Sequence, residues 1–314
     1  MPRKVIIDCD PGIDDAVALC MALFDPRLEV VAVTAVAGNV PAEYANINVQ
    51  AIVEQLDPPR YPRIGSATEA ESGPAVDQRH ICGEDGLGNA GFAVSQLARQ
   101  HPSEKLICDE VHAAPNEITL ICLGPLTNVA RALQRDPSFA NDIDRIVIAG
   151  GSVNCIGNVT PCAEFNFFYD PFSARQILRS STTKTLIPLD VSTQVSWSFD
   201  LMDRLPGEDT RAGRLLRRIL PHQFRASRQN LGLENILLTD TVAMAAALHP
   251  ELFAMSELAG DVEIAGELTT GMTVFDRRRN SRTRGDMEVA LDADTEAVSE
   301  AIIRCLAEAG RQTQ

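Results

Sequence analysis

Short apolar runs alternate with longer amphipathic stretches along the first two thirds of the chain. Lys4–Asp8, Glu29–Ala37, Glu117–Leu123, Arg145–Ala149 and Lys184–Leu189 are β-rich and apolar on both faces. Strands buried on both sides of a parallel sheet have this composition. Between them, Asp14–Phe24, Ala42–Leu56, Asn89–Arg99, Leu126–Arg135 and Pro171–Arg179 carry helical spacing or helix-forming residues. The alternation predicts an α/β fold with an open, mainly parallel central sheet and helices on both faces. No internal repeat or low-complexity linker interrupts it. Glycine, charge and broken periodicity cluster in Glu69–Asn89 and in Trp197–Asn235, the two segments expected to be inserted or mobile.

Composition narrows the partners. With 314 residues, 45% of them hydrophobic, the chain can bury a full core, as one large α/β domain or two small ones. A formal charge of −15 argues against nucleic acid and anionic membranes, which bind through basic patches. The N-terminal apolar run Val5–Ile7 is too short for a signal h-region and no later stretch is long enough to span a bilayer, which leads to the expectation of a cytoplasmic protein. The eight cysteines form no Cys-x-x-Cys pair and sit mostly in apolar segments, so buried free thiols are expected. Cys82, in a polar glycine-rich loop, is the exception.

Ligands of open α/β sheets bind beyond the C-terminal ends of the strands. Just after the first apolar run stand Asp8, Asp10, Asp14 and Asp15. Four carboxylates so close repel one another unless a cation or proton sits among them. Oxygen donors without nearby His or Cys favour a hard ion, Ca²⁺ over Mg²⁺ if carbonyls and waters share the site. Helix capping would account for Asp14 and Asp15 alone.

Asp8-Cys9-Asp10-Pro11-Gly12-Ile13-Asp14-Asp15-Ala16 resembles the N-terminal signature of the inosine-uridine-preferring nucleoside hydrolases, with Cys9 where Thr is common. The likeness continues, in the family's order, through Val36–Asn39, Gly83–Gly88, Gly124–Asn128, Gly150-Gly151, Gly157-Asn158, Ala163–Asn166, Pro188–Val191, Asp240 and Gly271–Val274. It implies one Rossmann-like nucleoside hydrolase domain over residues 1–314. It further implies Ca²⁺ held by Asp10, Asp15, Asp240 and the Thr127 carbonyl, with the ribose 2′- and 3′-hydroxyls completing the shell. Asp14 and Asn39 would hold the diol. Asn158, Glu164 and Asn166 would grip the 3′ and 5′ side of the sugar, and Asp10 would take the proton of the water attacking C1′. A homo-oligomer, dimer or tetramer, and a ribonucleoside substrate are implied in the same way. Asn128 is better explained as an ordinary loop residue.

The chain departs from the family where the base leaves. The usual histidine positions hold Thr239 and Cys82, neither a ready acid at neutral pH. His80 and Arg228 are the other possible leaving-group contacts, and Trp197 is expected to pack in the core or at an interface. Two other readings stay open on sequence alone. One is a sugar-binding protein on the hydrolase scaffold with weak or altered hydrolysis. The other is a phosphatase using Asp8-x-Asp10 with Mg²⁺.

Overall fold

The computed structural model describes residues 2–71, 73–95, 100–278 and 285–314. A nine-stranded sheet runs in the order Phe253–Leu258, Met287–Ala293, Lys184–Ile187, Arg145–Ala149, Ile118–Cys122, Arg3–Cys9, Leu28–Ala35, Arg63–Ser66, His101–Pro102. All neighbours pair in parallel except the first two, which are antiparallel. The five expected strands are its five adjacent central strands. They are buried on both faces because one apolar cluster lies on each side of the sheet. Helices Ile13–Phe24, Ala42–Leu56, Arg211–Ala226, Thr239–Leu248 and Thr295–Gln312 pack one face; Ser103–Ala113, Thr127–Arg135 and Pro171–Leu178 pack the other.

Two expectations need correction. Over residues 89–95 of the expected helix Asn89–Arg99 the backbone is irregular; residues 96–99 lie outside the described residues. Asp85 holds the chain into this stretch in an irregular path, accepting from Leu87 and Asn89 N–H at 2.8 Å and from Gly91 N–H at 3.0 Å. The expected inserted segment Trp197–Asn235 instead contains the sixteen-residue helix Arg211–Ala226. Its Leu215, Leu216, Ile219 and Leu220 are buried in the core. The interior Pro221 and many arginines masked its apolar stripe in the sequence.

The eight cysteines are free. Cys82 is buried after all, while Cys155, Cys162 and Cys305 are half-buried. Trp197 is buried, its indole N–H donating to Ser299 Oγ at 3.1 Å. Among the described residues no helix is long and apolar enough to cross a membrane.

Candidate active site

The C-terminal ends of the five central strands lie along one edge, and the segments after four of them carry parts of an acidic centre. Asp10 follows the Arg3–Cys9 strand and is 1% exposed. Its Oδ2 accepts the Asn39 N–H at 2.7 Å. Two glycines make room for this carboxylate: a Cβ on Gly38 would overlap Oδ2, and one on Gly124 would stand 2.6 Å from Oδ1. The Asn39 side chain donates to the Asp10 carbonyl at 2.9 Å and to Asp15 Oδ2 at 3.2 Å. Asp15 Oδ2 also accepts the Gly12 N–H at 2.9 Å, which caps the Ile13–Phe24 helix, while its buried Oδ1 has no partner. Asp8 turns the other way, accepting from Thr34 Oγ1 at 2.6 Å and Asn128 Nδ2 at 2.8 Å. Asn128 is thus a tie within the sheet edge.

Asp14 caps a helix, though not its own. Helix Thr239–Leu248 has no side-chain cap at Leu238. Asp14 supplies it, accepting from Asp240 N–H at 2.9 Å, Thr241 N–H at 3.0 Å and Thr241 Oγ1 at 2.6 Å. This contact brings Asp240 from 226 residues away to the acidic centre. On the opposite side, Glu164 caps the Phe165–Tyr169 helix, accepting from Asn166 N–H at 2.9 Å and Phe167 N–H at 3.2 Å, and also accepts Gly151 N–H at 3.0 Å. Asn166 Nδ2 donates to the Leu123 and Ala149 carbonyls, so its side-chain oxygen is turned away from these strand ends. Asn158 Oδ1 accepts the Phe165 N–H at 2.9 Å. Thr127 Oγ1 donates to buried Asp170 Oδ2 at 2.7 Å, which fixes the start of the Thr127–Arg135 helix.

The electrostatics follow from burial without a counter-charge. Burial first, then the Asp15 charge, drives the Asp10 carboxyl well above its ordinary pKa. Burial, then Asp14, Asp15 and Asp10, does the same to Asp240. Burial also raises Asp15 and Glu164 to about 7 and Asp14 to about 6, against hydrogen bonds that pull each down. Among the described residues no group of three or more His, Cys, Asp or Glu side chains is arranged to hold a metal ion as it stands. The fit to a hard cation rests instead on three buried carboxylates raised by burial and neighbouring acids, an orphaned buried Asp15 oxygen and an oxygen-only donor set.

A cavity of about 300 Å³ opens onto this centre. Its wall holds Asp14, Asn39, Asn158, Thr239 and Asp240, together with His80 and Cys82. Asp10, Asp15, Thr127, Glu164 and Asn166 lie outside that lining, with Asp10 and Asp15 reached through Asn39. Arg228 is not on the cavity wall; it is highly exposed and its nearest carboxylate partner is Glu234 at 3.9 Å. The Cys82 thiol points at the Gln78 carbonyl, 3.2 Å away, and burial raises its pKa. Gln223, on the Arg211–Ala226 helix, also lines the cavity. The sequence carried no signal for it, because the helix itself was hidden.

Fold and site define a doubly covered α/β protein with a buried acidic ligand site at the strand ends. The sequence profile of the inosine-uridine preferring nucleoside hydrolases matches residues 5–300. The chain is 36% identical over 293 residues to the non-specific ribonucleoside hydrolase RihC of Salmonella paratyphi A, covering 92% of this chain and 93% of that one. Among solved structures it resembles a plant nucleoside hydrolase (TM-score 0.90, 30% identity, 98% and 99% of the two chains). It also resembles the purine-preferring ribonucleoside hydrolase of Gardnerella vaginalis (TM-score 0.91, 27% identity, 98% and 99%). The chain belongs to the inosine-uridine preferring nucleoside hydrolase family. It is a ribonucleoside hydrolase, an enzyme that cleaves an N-glycosidic bond, and the phosphatase reading of Asp8-x-Asp10 falls away.

Proposed function

We propose that this enzyme hydrolyses ribonucleosides to ribose and free base with the help of Ca²⁺ held by Asp10, Asp15, Asp240 and the Thr127 main-chain carbonyl. The observation that carries the reading is the buried set Asp10, Asp15 and Asp240, each raised first by burial and then by neighbouring acids, beside a cavity walled by Asp14, Asn39 and Asn158. When bound, the ion supplies Lewis-acid polarisation of water and a fixed positive charge for the ribose diol. Asp14 and Asn39 orient the 2′- and 3′-hydroxyls. Asn158, Glu164 and Asn166 hold the 3′ and 5′ side. Asp10 accepts the proton of the water that attacks C1′, and the surrounding negative charge stabilises an oxocarbenium-like sugar. Residues 1–314 act as one domain in a cytoplasmic homo-oligomer, a dimer or tetramer; the unbroken nine-stranded sheet supports the first part.

The test is a Ca²⁺ titration of EDTA-stripped protein by calorimetry, paired with ribose release. One tight site is expected, lost in Asp10→Ala together with turnover. Full turnover after stripping, with no heat on adding Ca²⁺, would overturn the proposal.

Among the possible leaving-group contacts, His80 is the histidine on the cavity wall, whereas Arg228 is remote and Cys82 faces a carbonyl. General-acid help is typically worth about 10²–10⁴-fold. His80→Ala is therefore expected to lower inosine turnover by about 10²-fold while barely changing that of p-nitrophenyl riboside, whose leaving group needs no proton. Equal losses on both substrates would remove His80 from this role.

A further inference from the structure

Two segments of the family resemblance, Pro188–Val191 and Gly271–Val274, received no role from the sequence, and neither Asp190 nor Thr273 lies on the cavity wall. Both side chains end on the same loop. From Gly150 to Cys155, six consecutive backbone amides are committed. Gly150 N–H donates to the Ile187 carbonyl at 3.1 Å and Gly151 N–H to Glu164 Oε2 at 3.0 Å. Ser152 N–H donates to Thr273 Oγ1 at 2.8 Å, and the Thr273 hydroxyl donates back to the Ser152 carbonyl. The last three amides all belong to Asp190: Val153 at 2.6 Å, Asn154 at 2.7 Å and Cys155 at 3.2 Å. Three residues beyond Cys155 the loop delivers Asn158 to the cavity.

We propose that Asp190 is a positioning residue for ribose recognition, its carboxylate clamping the Val153–Cys155 amides so that Asn158 stands where the sugar binds. A loop without regular structure has no ladder of its own to satisfy six amides. Here the Ile187 carbonyl takes one amide and side chains from three separate elements take the other five, three of them on Asp190. The charge is well placed for this. Burial opposes it, but the amides and the Cys155 thiol outweigh burial and keep Asp190 below the ordinary carboxylate range. Charge-assisted bonds to backbone N–H groups are the strong kind, and the chain before the clamp is itself held to Glu164. Asp190 therefore acts on the sugar through Asn158 without touching it. The inference rests on the proposed role of Asn158.

Asp190→Asn preserves shape and replaces one accepting oxygen by a donor that faces backbone N–H groups. KM for p-nitrophenyl riboside is expected to rise about tenfold or more, with Ca²⁺ affinity unchanged. Amide hydrogen exchange should accelerate across 153–155 and not in the sheet. The deciding measurement is a double-mutant cycle with Asn158→Ala. If Asp190 works through Asn158, Asp190→Asn adds little to KM once Asn158 is gone. Losses that multiply fully in the double variant, or exchange that rises throughout the molecule, would overturn the proposal and assign Asp190 to general stability. If Asn158→Ala alone leaves KM unchanged, the role given to Asn158 fails first, a different result from an additive cycle. Should Asp190→Asn not fold, Thr273→Val releases the neighbouring Ser152 amide. It is expected to give a smaller rise in KM that is also absorbed by Asn158→Ala; an unabsorbed rise would count against the clamp.

Discussion

The hydrogen bonds of the acidic centre separate carboxylates that are tied into the fold from those that are not. Asp14 is saturated by the start of the Thr239–Leu248 helix. Its removal leaves buried donors unmet at a helix N-terminus, so Asp14→Ala is expected to lose on the order of 2–3 kcal/mol of stability as well as activity. Asp240 is the contrast, buried beside four other carboxylates with its charge opposed by each of them. An uncompensated buried charge costs more than the neutral amide that replaces it. Metal-free Asp240→Asn is thus expected to melt at or above the parent, yet to lose the rise in melting temperature that Ca²⁺ gives the parent, since a ligand stabilises only the state that binds it. Calorimetric melts of both variants, with EDTA and with Ca²⁺, check the pair. A metal-free Asp240→Asn that melts well below the parent would show that Asp240 has a structural partner instead.

At the scale of elements, legibility followed burial. The five central strands are apolar on both faces, so their sequence alone gave both their place and their parallel pairing. The edge strands Arg63–Ser66 and His101–Pro102 are four and two residues long, too short for any periodicity to register. Phe253–Leu258 and Met287–Ala293 carry exposed and half-buried positions, so they lack the two-faced apolar run that marks the central strands. The site divides in the same way. Asp8–Asp15 could be read because four carboxylates stand together at a strand end; Gln223 could not, because its place depends on a helix whose apolar stripe is interleaved with arginines. What the sequence cannot display at all is contact between distant elements, such as the Asp14 cap on Thr239–Leu248 or the Asp190 clamp on Val153–Cys155. Gly38 and Gly124 belong here too. They read as turn residues, but their function is to admit the Asp10 carboxylate. Gly124→Ala is expected to leave the strands intact by circular dichroism while displacing Asp10 and weakening Ca²⁺ binding at least tenfold, a steric effect that calorimetry would register and that an innocent turn position would not produce.

For the whole molecule, the buried acids set a pH dependence opposite to that of ordinary surface carboxylates. Asp8, Asp15 and Glu164 are raised to about 7 and Asp14 to about 6, in each case chiefly by burial. Between the ordinary carboxylate range and those values the folded protein holds protons that the unfolded chain has already released. Stability of the metal-free protein therefore falls as pH rises from about 4 to about 7. Other carboxylates work at lower pH. Asp25, Asp190 and Asp261 are held below their ordinary values, Asp25 by Arg27, Asp190 by the loop amides and Asp261 by Arg179 and Arg175, each against burial. Their contribution is present above about pH 4 and lost as pH falls through the depressed values. The two sets cross near pH 4–5, where the stripped protein should be most stable. Its net charge of −15 at pH 7 adds self-repulsion at the neutral end. At the proposed site calcium is expected to invert the upper limb, because an ion among Asp10, Asp15 and Asp240 would make their ionised forms the favoured ones and bind more tightly as protons leave. The expected result is a melting temperature several degrees higher at pH 5 than at pH 7.5 in EDTA, with the difference abolished or reversed in saturating Ca²⁺. Identical pH profiles with and without the ion would mean that no cation titrates against these carboxylates.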